Sequence, residues 1–283
     1  MNPASPRSMF ANVATLGRRD LRDALSSRWF LLYTMAFAAL GLCVSFVSAS
    51  SAGGSGLAGF GRTSAGLINL VLLVVPLMAL TAGAGGIAGE RERGMLAYLL
   101  AQPISRWELL AGKYAALATA LAMSICVGFG ISAVVMALRQ PNADASGLLS
   151  MVGLTILLAL AMLSIGVFIG VCCRRAAVAT GVAVFVWLML VFATDLGLMT
   201  GTMAMRLSIE TLFGLAVASP LQAFKMWSLQ NVDASLDVLG PAGLYAQLEF
   251  GHSLQLLFAG VLIAWIVIPL LFAGFVFNRR SPL

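Results

Sequence analysis

An all-α polytopic membrane protein with six transmembrane helices is the fold this sequence predicts. Two observations predict it: long runs without formal charge, and a lopsided distribution of Lys and Arg between them. Charge-free runs fall at residues 29–61, 63–89, 114–138, 145–173, 176–194 and 250–278. A hydrocarbon core of ~30 Å takes about 20 apolar residues of helix at ~1.5 Å rise each, and every run reaches or nearly reaches that length. A charge at the centre of a span costs roughly 2.5 to 3.5 kcal/mol on insertion scales, so six uncharged runs in one chain are no accident. Composition agrees, since 60% of the 283 residues are hydrophobic and only 10% are charged, far fewer charges than a soluble surface carries. The length accommodates six helices and their connections, which implies one membrane domain and no attached enzyme domain.

Spans are expected at about residues 29–48, 66–87, 114–138, 149–173, 177–197 and 254–277. Thirteen Lys and Arg fall on one side of them: Arg7, Arg18, Arg19, Arg22 and Arg28; Arg91, Arg93, Arg106 and Lys113; Arg174 and Arg175; Arg279 and Arg280. The other side holds Arg62, Arg139, Arg206 and Lys225. The positive-inside rule then makes both termini cytoplasmic. The net charge of +6 follows from topology and attraction to anionic lipid, and does not indicate nucleic-acid binding.

Residues 8–28 form an amphipathic helix in this reading. Phe10, Val13, Gly17, Leu21 and Leu25 recur at helical spacing, with Arg18, Arg19, Asp20, Arg22 and Asp23 on the other face. Such a helix lies on the inner membrane surface, as a positive anchor or as an element that transmits force. A signal peptide is excluded as the reading of residues 29–46, because that apolar run is too long for an h-region. The Ser- and Gly-rich segment 48–66 is expected to be a flexible outer loop. Gly85 with Gly89 and Gly166 with Gly170 place small residues at four-residue spacing for close helix contact in lipid. Pro76 and Pro269 are expected to kink spans two and six.

The coupling region, residues 88–113, is the most informative polar segment. Glu90, Arg91, Glu92 and Arg93 alternate at the mouth of span two, followed by Gly94 and the apolar stretch 95–100. Ser105 and Glu108 then form a capping box, with Ile104 and Leu109 positioned as its hydrophobic staple. A short helix parallel to the membrane, a turn at Pro103 and the start of span three follow from this pattern. Together they make a projecting knob that a soluble partner could grip. The charged quartet is either a solvated cluster worth about 0–1 kcal/mol per exposed pair or the link between knob and spans.

The outer segment, 200–252, contains a charge-free stretch, 211–224, that is too short to span and is expected to be re-entrant or interfacial. Arg206, Glu210, Lys225, Trp227, Asp233 and Asp237 around it suit a lid or a docking surface for an external protein, or a plug that closes the bundle. Met199, Met203 and Met205 are soft thioethers that suit Cu(I), although Met is more often flexible packing and no Cys or His adjoins them in sequence. Asp195 lies near the end of span five, within reach of the interface, and His252 is expected to be interfacial. The four cysteines, Cys43, Cys126, Cys172 and Cys173, show no C-x-x-C spacing and read as packing residues.

No P-loop is present: Gly112-Lys113 is followed by Tyr114 and lacks the upstream glycine spacing. Any nucleotide engine therefore belongs to another chain. There is no HExxH motif either, so hydrolytic metal chemistry is not expected.

The run Gly89-Glu90-Arg91-Glu92-Arg93-Gly94, then Leu99-Leu100, Pro103-Ile104-Ser105-Arg106 and Gly112-Lys113, resembles the coupling-helix region of the membrane subunit of type 2 ABC exporters. The resemblance covers nearly the whole chain. It implies a non-catalytic permease that pairs with a second copy of itself and with ABC ATPase subunits, which bind the ATP and Mg²⁺. It also implies that Glu90, Arg91, Glu92, Arg93, Arg106, Trp107 and Glu108 face the ATPase, with Phe10, Val13, Arg18, Arg19, Leu21, Arg22 and Leu25 in the connecting helix. Within the family the pattern is most similar to permeases that serve nitrous oxide reductase maturation, which implies a periplasmic partner and copper–sulfur centre assembly. An exporter of lipid, drug or glycan is the alternative. An ion-coupled carrier is disfavoured, because no acidic or histidine residue lies in the middle of a span.

Overall fold

A computed structural model describes residues 34–35, 38–39, 42, 56–100, 105–139, 145–203, 214, 217–231 and 254–279. The described residues form helices α1 (Gly56–Glu92), α2 (Met95–Leu100), α3 (Arg106–Arg139), α4 (Ala145–Cys172), α5 (Ala176–Met203), α6 (Pro220–Asn231) and α7 (Leu254–Arg279), with no strand among them. Four segments are long and apolar enough to cross a membrane: Ile68–Glu92, Arg106–Ile131, Leu149–Cys172 and Leu254–Arg279. A shorter apolar helix, Ala176–Phe192, opens α5. The predicted amphipathic helix, 8–28, and most of span one lie outside the described residues. Thr34, Met35, Ala38, Ala39 and Leu42 are helical, and the Thr34 and Ser124 hydroxyls meet at 2.6 Å, joining span one to α3.

α4 is the hub. It packs against α1, α3, α5, α6 and α7, and Leu158, Met162, Leu163 and Val167 are sealed from solvent. Backbone approach explains how one helix touches so many neighbours. A Cβ on Gly166 would lie 2.5 Å from the Leu80 carbonyl oxygen, and one on Gly170 would lie 2.8 Å from that of Ala84. From the other side, a Cβ on Gly83 would lie 2.8 Å from both the Leu163 oxygen and the Val167 nitrogen. The two helices therefore touch through three glycines, Gly83, Gly166 and Gly170, as small-residue packing in lipid requires. The expected pair on α1, Gly85 and Gly89, does not take part in this seam. Gly85 faces Thr180 and Gly89 faces Ala176, both on α5.

Polar ties among the described residues cross the apolar bundle. The Tyr114 hydroxyl donates to the Leu160 carbonyl at 3.0 Å, the Ser164 hydroxyl to the Trp265 carbonyl at 2.7 Å, and the Trp265 indole N–H to the Ala218 carbonyl at 2.9 Å. Large apolar side chains on the outside, such as Phe185, Met189 and Phe192 of α5 and Leu271, Phe272 and Phe275 of α7, are exposed. They form the surface that a bilayer covers.

One expectation is corrected. Residues 56–66, read as part of a flexible loop, are the first turns of α1. Glycine lowers helix propensity, but extending an already nucleated helix fixes only one residue per new hydrogen bond. The charge-free stretch 211–224 is described only in part. α6 starts within it at Pro220, a residue suited to the first helical turn, and continues past Lys225 to Asn231. At about 18 Å long it cannot cross the ~30 Å core. It packs between α4 and α7 with Leu221, Ala223, Phe224, Met226 and Leu229 buried.

Candidate functional site: a clamp at one end of the bundle

Four consecutive residues at the end of α1 reach four different places. Glu90 pairs with Lys113 of α3, and the pair is largely enclosed, with side-chain exposures of 20% and 7%. Arg91 donates from Nη1 to the Val171 and Cys173 carbonyls, both at 2.9 Å. A guanidinium there satisfies carbonyls at the end of α4, where the helix dipole favours a cation. Glu92 accepts the Ala176 N–H at 2.9 Å, placing an anion on the first turn of α5. Arg93 turns back and donates from Nε to the Gly89 carbonyl at 3.1 Å. The sequence alternates sign because the first three residues serve helix ends or partners of alternating polarity.

α1 stops at this quartet because Gly94 follows it with φ +71°. That left-handed conformation is cheap only for glycine and is the common way to end a helix. α2 then starts at once. Leu96 and Leu99 are buried, whereas Met95 and Tyr98 face out, Tyr98 with 68% of its surface exposed. The knob is thus a single amphipathic turn anchored by two leucines, with an aromatic on its outer side.

Span three begins with the predicted capping box. The Glu108 N–H donates to the Ser105 hydroxyl at 3.2 Å, and the Ser105 N–H donates to Glu108 Oε2 at 3.1 Å. Both orphan donors of the first turn are satisfied reciprocally. A Ser105→Ala variant should therefore lose about 1 kcal/mol of stability, read as a lower melting temperature in detergent. An unchanged melting temperature would mean that the box contributes nothing.

Arg106 and Trp107 engage the last helix. Arg106 Nη1 donates to the carbonyls of Phe277 and Asn278 at 3.1 and 2.9 Å. The Trp107 indole lies directly on Gly274, where any Cβ would overlap the ring. Trp107 nevertheless keeps 42% of its surface exposed. Arg279 stacks on Phe275 at 4.1 Å from the ring centroid and so stays beside this corner. Arg174 and Arg175 project, exposed, from the turn between α4 and α5.

One end of the bundle therefore gathers Glu90, Arg91, Glu92, Arg106, Trp107 and Glu108, with each side chain seated on a neighbouring helix or on its own cap. Sequence reasoning gave no individual role to Lys113, Tyr98 or Gly274. Lys113 carried a signal, being a lone cation at the mouth of an apolar run; Gly274, inside an uninterrupted apolar run, carried none.

The other expected groups are not brought together here. Lys225 and Trp227 lie at the opposite end on α6, both partly buried, with Trp227 packed on the core. Arg206, Glu210, Asp233, Asp237, His252 and Met205 lie outside the described residues, as do Phe10, Val13, Arg18, Arg19, Leu21, Arg22 and Leu25. Met199 and Met203 belong to α5, but their side chains are not among those described. Among the described residues no group of three His, Cys, Asp or Glu could hold a metal ion.

A bundle with four helices long and apolar enough to cross a membrane, and a charged elbow that grips the ends of its neighbours, is a multi-pass membrane protein. The chain belongs to the ABC-2 family transporter proteins, whose family model matches residues 14–281. It is similar to the probable ABC transporter permease protein NosY of Stutzerimonas stutzeri, with 28% identity over 95% of this chain and 98% of that one. The NosY of Pseudomonas aeruginosa is 30% identical over 79% of this chain and 83% of its own length. The chain is a NosY-like, multi-pass ABC transporter permease.

Proposed function

We propose that this permease converts ATP hydrolysis by a separate ABC ATPase into movement of its membrane helices. It acts as a homodimer of six-span subunits in the bacterial inner membrane, with both termini cytoplasmic. The observation that carries the reading is the clamp. Force applied to α2 reaches α1 through Gly94, then α3 through Glu90–Lys113, and the α4 and α5 ends through Arg91 and Glu92. The exposed faces of Met95, Tyr98 and Trp107 give an ATPase an aromatic surface to grip, the kind of residue that dominates interface energetics.

The similarity to NosY permeases supports a NosF-like ATPase that binds ATP and Mg²⁺, and a NosD-like periplasmic protein at the far end. In this reading the work drives copper–sulfur centre assembly for nitrous oxide reductase, and this chain binds neither nucleotide nor metal itself.

Affinity purification of the tagged chain from native membranes tests the reading. Recovery of an ABC ATPase together with a periplasmic repeat protein is the expected result. An ATPase alone would favour export of a lipid, drug or glycan, and no ATPase would overturn the reading. Tyr98→Ala probes the contact without disturbing the bundle, because the side chain is mostly exposed. It should weaken ATPase association roughly thirtyfold, the loss of one interface hot spot of about 2 kcal/mol, at normal expression. Full retention of the ATPase would remove α2 from the contact. Replacing Arg106 and Trp107 is a poorer probe, since both also hold α7.

A further inference from the structure

α7 carries a proline inside an apolar span, and its consequences reach two other helices. Pro269 has no N–H, so the carbonyl of Trp265, four residues earlier, loses its helical donor. Trp265 stands near the middle of this 26-residue helix, well inside a ~30 Å hydrocarbon core where no water replaces the donor. The Ser164 hydroxyl of α4 fills the gap, donating to that carbonyl at 2.7 Å. Ser164 also stands 2.8 Å from the Ala161 carbonyl, and its single proton serves both. The Ala161 carbonyl lies within the α4 ladder, whereas that of Trp265 depends on Ser164. A helix bends most easily where a ladder bond is missing.

The same tryptophan holds α6. The chain bends at Ser219, just before α6 begins, and the Ala218 carbonyl beside the bend accepts the Trp265 indole N–H at 2.9 Å. A backbone bend at membrane depth persists only where the protein itself satisfies its polar groups. The other half of α7 is held by the start of α3, through Arg106 on the Phe277 and Asn278 carbonyls and Trp107 on Gly274. These contacts with α3 lie after Pro269, and the bond to Ala218 lies before it.

We propose that α7 is hinged at Pro269 and that Trp265 carries α6 with the half of α7 before the proline, so that the two move as one unit at the end of the bundle away from the clamp. Ser164 is the pivot: it closes the broken ladder against the hub and leaves the two halves free to change angle. The half after Pro269 stays with α3. The hinge is a property of this chain and is read without an ATPase, so its failure is distinguishable from failure of the function proposed above.

Hydrogen–deuterium exchange of the full-length chain in phosphatidylcholine nanodiscs tests it. Trp265→Phe keeps an aromatic ring against the core and removes the N–H donor. Exchange in Pro220–Asn231 should rise about fivefold, the scale of one lost hydrogen bond, with residues 270–279 unchanged. Unchanged exchange in α6, or an equal rise in 270–279, would overturn the proposal. A second set of variants reads the pivot. Ser164→Ala should raise exchange in residues 254–268 and in α6 together, again about fivefold. Pro269→Ala returns an N–H to the ladder, so adding Ser164→Ala to it should leave exchange nearly unchanged. An equal effect of Ser164→Ala in both backgrounds would show that the serine only packs, and would overturn the hinge.

Discussion

Gly166→Val is expected to disrupt the bundle more than any other single methyl-scale change. A Cβ at this position would lie 2.5 Å from the Leu80 carbonyl oxygen and 3.0 Å from its Cα, where ordinary contact begins near 3.4 Å. Both contacting atoms are backbone, so no rotamer change relieves the clash. α4 and α1 would have to separate by nearly an ångström along the seam that also includes Gly83 and Gly170. Overpacking of a tight core costs typically about 1–3 kcal/mol, and valine adds two methyl groups beyond the clashing Cβ. The expected result is a large loss of folded protein in detergent, with Gly166→Ala intermediate. Gly181→Ala and Gly260→Ala are the controls, since nothing lies within 4 Å of a Cβ at either position. They should match or exceed the wild type, because alanine is the better helix former by ~1 kcal/mol. If Gly166→Val melted like the controls, the α1–α4 seam would not be as close as described.

Removing one partner of the Glu90–Lys113 pair should have the second large effect. With Glu90→Ala, Lys113 loses its carboxylate partner in a site where only 7% of its side chain is exposed. Breaking a buried pair this way costs about 3–5 kcal/mol, and the partial exposure of Glu90, at 20%, places the expected loss near the low end, about 3 kcal/mol. Glu90→Lys should be worse, because it adds a like charge. The ion pair predicts that expression itself falls with Glu90→Lys. Exchanging the partners, Glu90→Lys with Lys113→Glu, should recover much of the lost stability, a coupling that a double-mutant cycle reads directly. A cycle with no coupling energy would reduce the pair to a surface contact.

Glu92 and Arg91 are smaller cases of the same principle. Their cost lies in helix-end groups left unsatisfied, not in a stranded charge. The alternating quartet was legible in the sequence as a motif, but its role was open between a solvated cluster and a link to the spans. Tertiary contacts distinguish these readings, because each side chain acquires meaning only from the helix end that happens to stand opposite it. The capping box was legible in full, since Ser105 and Glu108 are three residues apart and need no distant partner.

The glycines mark the boundary between the two kinds of information. Spacing picked out Gly166 with Gly170, and both lie on the seam, yet the same spacing picked out Gly85 with Gly89, which face α5. Gly83, which completes the seam, was not distinguished by that spacing. A helix is close-packed on several sides in this bundle, and a four-residue repeat does not say which neighbour it meets. In the same way, an unbroken apolar run such as that of α7 hides the position where Trp107 settles on Gly274.

The sequence by itself determined that this chain is helical and belongs in a membrane, that a helix starts after Ser105, and that a charged elbow resembling that of ABC permeases follows its second apolar run. Those properties depend on charge-free length, local hydrogen bonding and residues a few positions apart. Only the tertiary structure decided that α4 is the hub, that Lys113 completes Glu90, and that Trp107 settles on Gly274. Such facts depend on which helix faces meet, and helices that are apolar all round leave no periodic mark of their neighbours.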